Sequence, residues 1–449
     1  MMANVEVSID NDDVYNRFSP GRKAIITMVL VWSSFQCTLA TTTVISAIPE
    51  VGATFHTTET TIAISNAVML LCQVVGPILY APIANTIGRR PILLATNAIL
   101  FAFTLGTAFA PNLPASQVIA TVVIGDIYPA VTRGRALGWL MVSTTLGPGI
   151  APLLGGAIVS YTSWRVIFWT QSGMASLSVL LLAIFLPETI HEKKTRIFAD
   201  LPLSGKVKQF FHLINPSEII TLLISAPGLA INAITVITLH WNMYSTLTPI
   251  REVLNPRFHL SSPLQAGLFY LTPSAGFLTG LFCGGQLSDW VVRLYIRRRG
   301  RRVPEDRLNS TVGVVGVALP ACSLLYGWAV QHEIGGIPMV VVALFLQGVF
   351  QVIPFISLNV YCVDVMEGTG KSSLAVAGSY MVRNVAAAAG TAACLPAIEA
   401  IGVGWFMTIA AGLLVVAAGF LWLATRHGGE WRMRGEEKSI ECSRLPSEK

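Results

Sequence analysis

The sequence predicts an all-α membrane protein made of two six-helix bundles, and three observations carry that reading. The first is composition: 53% of the 449 residues are hydrophobic and only 12% are charged. A soluble domain carries about a quarter charged residues, so this chain has too little charge to cover a soluble surface and the bilayer must be its solvent. The second is segmentation. Apolar stretches alternate with polar links, and all but one are long enough to cross about 30 Å of hydrocarbon at about 1.5 Å per residue. Within lipid, helices of this length satisfy every backbone group internally. The third is repetition. Gly76-Pro77-Ile78-Leu79-Tyr80-Ala81-Pro82-Ile83-Ala84-Asn85, then Gly88-Arg89-Arg90-Pro91, has an echo in the second half, where Gly280 falls opposite Gly76 and Asp289 opposite Asn85.

Taken in order, residues 1–23 are polar, carry Asp10, Asp12, Asp13, Arg17, Arg22 and Lys23, and read as a disordered tail. The first apolar run is too long for a signal-peptide h-region. It is span 1, residues 24–48, and carries Gln36 and Thr41-Thr42-Thr43. Span 2 covers 61–81 with Asn66 and Gln73, and span 3 covers 91–110. Span 4 is anomalous, because Pro111 and Pro129 leave only residues 114–128 for it. That is about 22 Å of helix, so a shortened fourth helix is expected. Spans 5 (137–159) and 6 (164–186) complete a first bundle at 24–186, ended by Pro187-Glu188-Thr189. Composition then turns polar and basic over 187–216, with Lys193, Lys194, Arg196, Lys206 and Lys208, which marks the link between bundles. The second bundle, 217–424, holds spans 7 (217–246), 8 (262–287), 9 (310–330), 10 (336–363), 11 (373–398) and 12 (402–424). A polar tail follows at 425–449.

Twelve spans leave both ends of the chain on one side. The tails and links of that side hold 26 of the 30 Lys and Arg residues; the opposite links hold Arg165, Arg251 and Arg257, and Arg383 lies inside span 11. Positive charge marks the cytoplasmic side, so both termini are expected in the cytoplasm, and the sequon at Asn309 should stay unglycosylated. The net charge of +6 is thereby explained by topology, and no nucleic-acid partner is implied. The seven cysteines include no C-x-x-C pair, so neither a disulfide framework nor a zinc site is expected, and no metal or cofactor.

The repeated stretch resembles the G-x-L-a-D-r-x-G-r-r loop found after the second helix of each half in the major facilitator superfamily. The second copy keeps Gly285, Leu287, Ser288 and Asp289 and continues into seven arginines from Arg293 to Arg307. The first copy keeps Gly88, Arg89 and Arg90, but has Ala81, Asn85 and Thr86 where the family has glycine, aspartate and often arginine. In span 5, Gly147-Pro148-Gly149-Ile150-Ala151-Pro152-Leu153-Leu154-Gly155-Gly156 resembles the G-P-x-x-x-P-x-x-G-G motif of the drug:proton antiporters of that superfamily. Asp126-Ile127-Tyr128-Pro129 with Arg133-Gly134-Arg135, and Trp164-Arg165-Val166-Ile167-Phe168-Trp169, match the same branch. Val303-Pro304-Glu305-Asp306-Arg307-Leu308 resembles a loop of its fungal multidrug and polyamine exporters, and Asn359-Val360-Tyr361-Cys362-Val363-Asp364 their span 10 end. The likeness covers residues 18–425, with one gap, the first part of span 4.

The resemblance implies a fold of two six-helix bundles related by a pseudo-twofold axis and gating roles for Gly88, Arg89, Arg90, Gly285, Asp289, Arg293, Gly147, Pro148, Gly155 and Gly156. Asp289 with Arg293, and Arg89 with Arg90, are expected to form latches at helix ends that move. Candidates for the substrate cavity or coupling are Gln36, Thr42, Asn66, Gln73, Asn242, Asn359 and Arg383. Each neutral one alone is equally a helix-packing polar group. Arg383 stands apart, because an arginine at a helix centre costs at least about 2.5–3.5 kcal/mol on insertion scales. It is expected to face the protein interior or a wet cavity.

The function so implied is secondary active transport by alternating access: export of small organic molecules such as drugs, toxins, polyamines or secondary metabolites, with protons as the coupling ion. The expected setting is a monomer in the lipid bilayer of the plasma membrane. A metabolite importer or facilitator on the same fold is the alternative, as is a truncated transporter with little activity because of span 4. An enzyme is not expected: the sequence has no P-loop, no H-E-x-x-H and no Ser/His/Asp arrangement.

Overall fold

A computed structural model of the protein describes residues 18–107, 130–188, 217–259, 263–300, 303–366 and 372–444. Span 4, with its predicted shortening, and most of the N-terminal tail and central link lie outside the described residues. The regular structure among the described residues is helical: α1 (Pro20–Thr42), α2 (Ile48–Thr54), α3 (Glu59–Ile87), α4 (Arg89–Thr107), α5 (Ala130–Tyr161), α6 (Arg165–Phe185), α7 (Ser217–Ser225), α8 (Pro227–Leu247), α9 (Ile250–Arg257), α10 (Pro263–Phe269), α11 (Leu271–Arg299), α12 (Asn309–Gly313), α13 (Leu319–His332), α14 (Gly336–Val365), α15 (Ser372–Ile401) and α16 (Val403–Arg444). Helices therefore occupy each predicted span that falls within the described residues. Seven helical stretches among the described residues are long and apolar enough to cross a membrane, or eight if a bent pair in span 7 counts as one.

Local chemistry explains where these helices start, break and stop. Ser19 caps α1 by accepting from the Arg22 backbone N–H at 3.4 Å, with Pro20 in the first turn. Thr41 and Thr42 donate back to the carbonyls of Cys37 and Thr38 at 2.8 and 3.0 Å. Such back-bonding loosens a helix, and α1 passes into a 3-10 turn at Thr43–Ala47 before α2. Span 7 is not one continuous helix: Pro227 lacks an N–H, and the stretches on either side of Ala226 meet at 107°. Span 9 carries a π-helical turn at Val314–Ala318 between α12 and α13.

Two helices run well past their predicted ends. α11 continues from the apolar run to Arg299, with Arg297, Arg298 and Arg299 in its last turn and Gly300 in the left-handed region as its stop. α16 continues to Arg444, and Trp431 in its extension packs against the buried cluster that includes Leu308, Leu358 and Leu421. Lipid composition ends before the helix does, because helix formation needs no apolar solvent once the chain is nucleated.

The pairing of helices repeats between halves. α1 packs on α5 as α8 packs on α15, and α4 on α6 as α13 on α16. Between the halves, α3 lies along α15, and α5 lies along α10 and α11. Advancing every partner by six spans exchanges these sets, which is the signature of a pseudo-twofold axis. Outward faces carry large apolar side chains such as Phe282, Trp290, Val317, Ile184 and Trp405, all more than half exposed, as a lipid-facing belt requires. The largest interior cluster joins Ile45 and Ile48 of the first half to Leu247, Ile250, Phe269, Tyr270 and Phe277 of the second. It lies at the face opposite the arginine-rich helix ends and seals the halves together there.

Candidate functional site

The polar side chains predicted to line a cavity fall into separate groups. Gln36 does not stand open: it donates to the Asn97 side-chain oxygen at 3.2 Å, and Ser33 and Ser178 donate to the same oxygen at 3.1 and 3.0 Å. Asn97 thereby ties α1, α4 and α6 together. In the second half Asn242 does similar work: it donates to Gln351 at 3.1 Å and accepts from Ser323 at 3.1 Å, tying α8, α14 and α13. Gln36 and Asn242 are thus packing groups whose hydrogen bonds hold each bundle. Thr42 is buried and donates to the carbonyls of Thr38 and, at 3.4 Å, Gly147. Gln73 sits between the halves, donating to Thr41 at 3.4 Å and accepting from Asn384 on its carbonyl at 3.5 Å. Asn66 is buried on α3 with neither side-chain polar atom bonded among the described residues, and Asn359 is half-buried on α14.

Arg383 points into the protein. Its Nε donates to Nε2 of His240 at 2.9 Å, and its guanidinium carbon lies 4.5 Å from the Tyr380 ring centre and 5.9 Å from that of Phe355. His240, buried on α8, was not singled out in the sequence, where a lone histidine in an apolar run gives no sign of a partner 143 residues away.

The span 5 motif is a contact face. A side chain at Gly147 would meet Thr38 Cβ at 2.5 Å, one at Gly149 would meet Ser274 Cβ at 2.5 Å, and one at Gly155 would meet the Thr43 carbonyl oxygen at 2.5 Å. Gly147 therefore admits α1, Gly155 the 3-10 turn that follows it, and Gly149 α11 from the other half. Pro148 and Pro152 lie inside the helix, and Gly156 is buried.

At the arginine-rich face, Gly88 adopts φ 123°, and a Cβ there would strike the Glu188 carboxylate, whose carbon would be 2.9 Å away. That carboxylate accepts from the Arg89 backbone N–H at 2.9 Å and caps α4, where negative charge meets the positive end of the helix dipole. Arg90 donates to the Ala183 carbonyl at 2.8 Å. In the second half Asp289 of the expected latch has a partner other than Arg293. Arg307 joins Asp289 at 3.6 Å and Asp364 at 3.1 Å and donates to Ser288 at 3.4 Å, whereas Arg293 is exposed. Arg293 lies one helical turn beyond Asp289 on the same helix, while Arg307 approaches from the start of span 9 and reaches both acids. Gly285 has open space where a side chain would go, so packing does not require it.

The opposite face is closed by a pair the sequence did not suggest. Arg251 of α9 makes a two-pronged bond to Glu50 of α2, with one contact at 2.6 Å, and also reaches the Ser46 carbonyl. Arg251 is 7% exposed. The ion pair links the two halves directly beside their shared apolar seal.

Comparison with known proteins agrees with this geometry. The sequence model of the Major Facilitator Superfamily matches residues 30–303. The chain is 20% identical over 551 residues to the MFS antiporter QDR3 of Candida albicans, covering 91% of this chain and 78% of that one. It is 26% identical over 429 residues to the efflux pump radE of Floropilus chiversii, covering 88% and 77%. Its fold is similar to the human transporter MFSD10, with TM-score 0.63 at 16% identity over 90% of this chain and 100% of that one. With a family model spanning more than half its length and the duplicated helical architecture above, the chain belongs to the major facilitator superfamily, and it is a membrane transporter rather than an enzyme.

Proposed function

We propose that this transporter exports small organic molecules by alternating access, rocking its two halves about a site between them. The observation that supports export most directly is the span 5 motif, whose glycines seat α5 against α1 and, through Gly149, against α11 of the other half. A helix in close contact with both halves is placed to couple their movement. Relatives named as an efflux pump and an antiporter point the same way. The seal at Ile45, Ile48, Leu247 and Ile250, with the Glu50–Arg251 pair, closes one face; with the arginine-rich face cytoplasmic, this is the inward-facing state. Proton flow is the driving force that the resemblance implies, and a monomer in the plasma membrane with both termini inside is the setting.

Expression in a strain stripped of its own exporters is expected to raise resistance to at least one member of a panel of drugs, polyamines and weak acids. Vesicle accumulation of that compound should collapse when the proton gradient is dissipated. No change in resistance at verified expression would overturn the export reading, and indifference to the gradient would overturn proton coupling.

The contacts at the arginine-rich face predict a difference between two arginines. Arg307→Ala removes an ion-pair partner from both Asp289 and Asp364 and is expected to lower transport severalfold at normal expression, with Asp289→Ala intermediate. Arg293→Ala should leave transport nearly unchanged. Equal effects of the two arginine substitutions would show that the pairing at Arg307 has no part in gating.

A further inference from the structure

We propose that Arg383 anchors an anionic group, so that the transported molecules are organic anions, carboxylates above all, with an aromatic or apolar body. This rests on the exporter reading for its biological sense but not for its test. Arg383 is the single Lys or Arg placed inside a span, on α15. No carboxylate pairs with it among the described residues, whereas Arg251 meets Glu50, Arg299 meets Asp306, and Arg307 meets Asp289 and Asp364. The guanidinium is therefore a half-buried cation in the interior of a membrane protein, without an anionic partner among the described residues.

Its neighbours orient the group without neutralising it. His240 Nδ1 lies 2.9 Å from the Val236 carbonyl, which can only accept, so the proton sits on Nδ1. Nε2 is then a lone pair and accepts from Arg383 Nε at 2.9 Å, which leaves the imidazole neutral. Tyr380 stacks at 4.5 Å and Phe355 lies at 5.9 Å, holding the guanidinium plane. With Nε occupied by His240, the two terminal nitrogens keep their paired N–H donors, the fork that fits the two oxygens of a carboxylate. The same rings offer apolar surface to the body of such a molecule. A positive group in this setting selects anions and opposes cations, so polyamines and basic drugs, included among the expected substrates above, should be disfavoured. An inside-negative membrane potential also favours outward movement of an anion, which adds to any proton gradient.

The test is binding to the purified full-length protein in detergent, using three matched probes: 2-naphthoic acid, its neutral amide, and 2-naphthylmethylamine. The acid is expected to bind about tenfold or more tightly than the amide and to raise the unfolding temperature, and the amine should bind weakest. Arg383→Gln should erase the preference for the acid, and Arg383→Lys should keep part of it. Equal binding of acid and amide to the unsubstituted protein, a preference for the amine, or an acid preference that survives Arg383→Gln would each overturn the proposal. If Arg383→Gln is not recovered folded, the three probes on the unsubstituted protein and the Arg383→Lys variant decide the matter in the same terms. Binding is read without transport. Acid preference without vesicle export would therefore refute the exporter reading alone, and export with no acid preference would refute the anion site alone.

Discussion

Glu50→Gln is expected to open the face of the transporter that the structure shows closed. Glu50 and Arg251 come from different halves and meet through a two-pronged charged bond, and Arg251 also donates to the Ser46 carbonyl. Arg251 is almost fully buried and Glu50 about one quarter exposed, so the pair is only partly screened by water. Removing one partner of a buried pair typically costs about 3–5 kcal/mol, and the exposure of Glu50 reduces that to about 2–4 kcal/mol. The cost falls on the state closed at this face, because the two residues must separate when the halves rock apart. A shift of that size changes the balance of states by about one to three orders of magnitude. A cysteine placed at Leu247, which is 2% exposed in the seal, should then react with an impermeant thiol reagent in an otherwise cysteine-free chain. The swap of Glu50→Arg with Arg251→Glu should restore part of the protection. Labelling at Leu247 that is slow and identical with and without Glu50 would show that the apolar seal holds alone.

What could be read from the sequence follows from what a sequence pattern encodes. The spans were legible because each apolar run must cross a layer of fixed thickness. Gly88 and the glycines of span 5 were legible as motif positions, and the structure shows what a side chain there would strike: Glu188 in one case, Thr38, Ser274 and Thr43 in the other. Partners were not legible. Gln36 and Asn242 read as cavity residues because nothing in span 1 announces Asn97, and nothing in span 7 announces Gln351 and Ser323. Asp289 and Arg293 were named together for their place at one helix end, and nothing there announces Arg307, which comes from the next span. Glu50 and Arg251 sit just outside their spans, where a charge ordinarily needs no partner, and the contact between halves gives them one. The extended ends of α11 and α16 were missed because composition marks the edge of the lipid and not the end of a helix.

The second large effect is expected at Gly149, and it separates a contact between halves from a merely tight helix. A methyl group at this position would collide with the Ser274 side chain, at 2.5 Å from its Cβ and 3.0 Å from its Cα. Ser274 belongs to α11, its hydroxyl donates to the Tyr270 carbonyl, and it is 4% exposed. Overfilling a close-packed contact costs about 1–3 kcal/mol, and here the halves cannot approach without moving one helix. Gly149→Ala should therefore lower transport about tenfold or more while the protein still reaches the membrane. Most of that clash is with atoms that Ser274→Gly would delete, so the double variant should recover a large part of the loss. Gly155→Ala is the contrasting case. Its new methyl group would meet the Thr43 backbone oxygen at 2.5 Å, and no side-chain deletion removes a carbonyl. Trimming Ser46, its other neighbour, should give little recovery. Rescue at Gly149 without rescue at Gly155 is the expected pattern. If Ser274→Gly fails to rescue Gly149→Ala, the contact of α5 with α11 is not what limits transport, and the glycine acts within its own bundle.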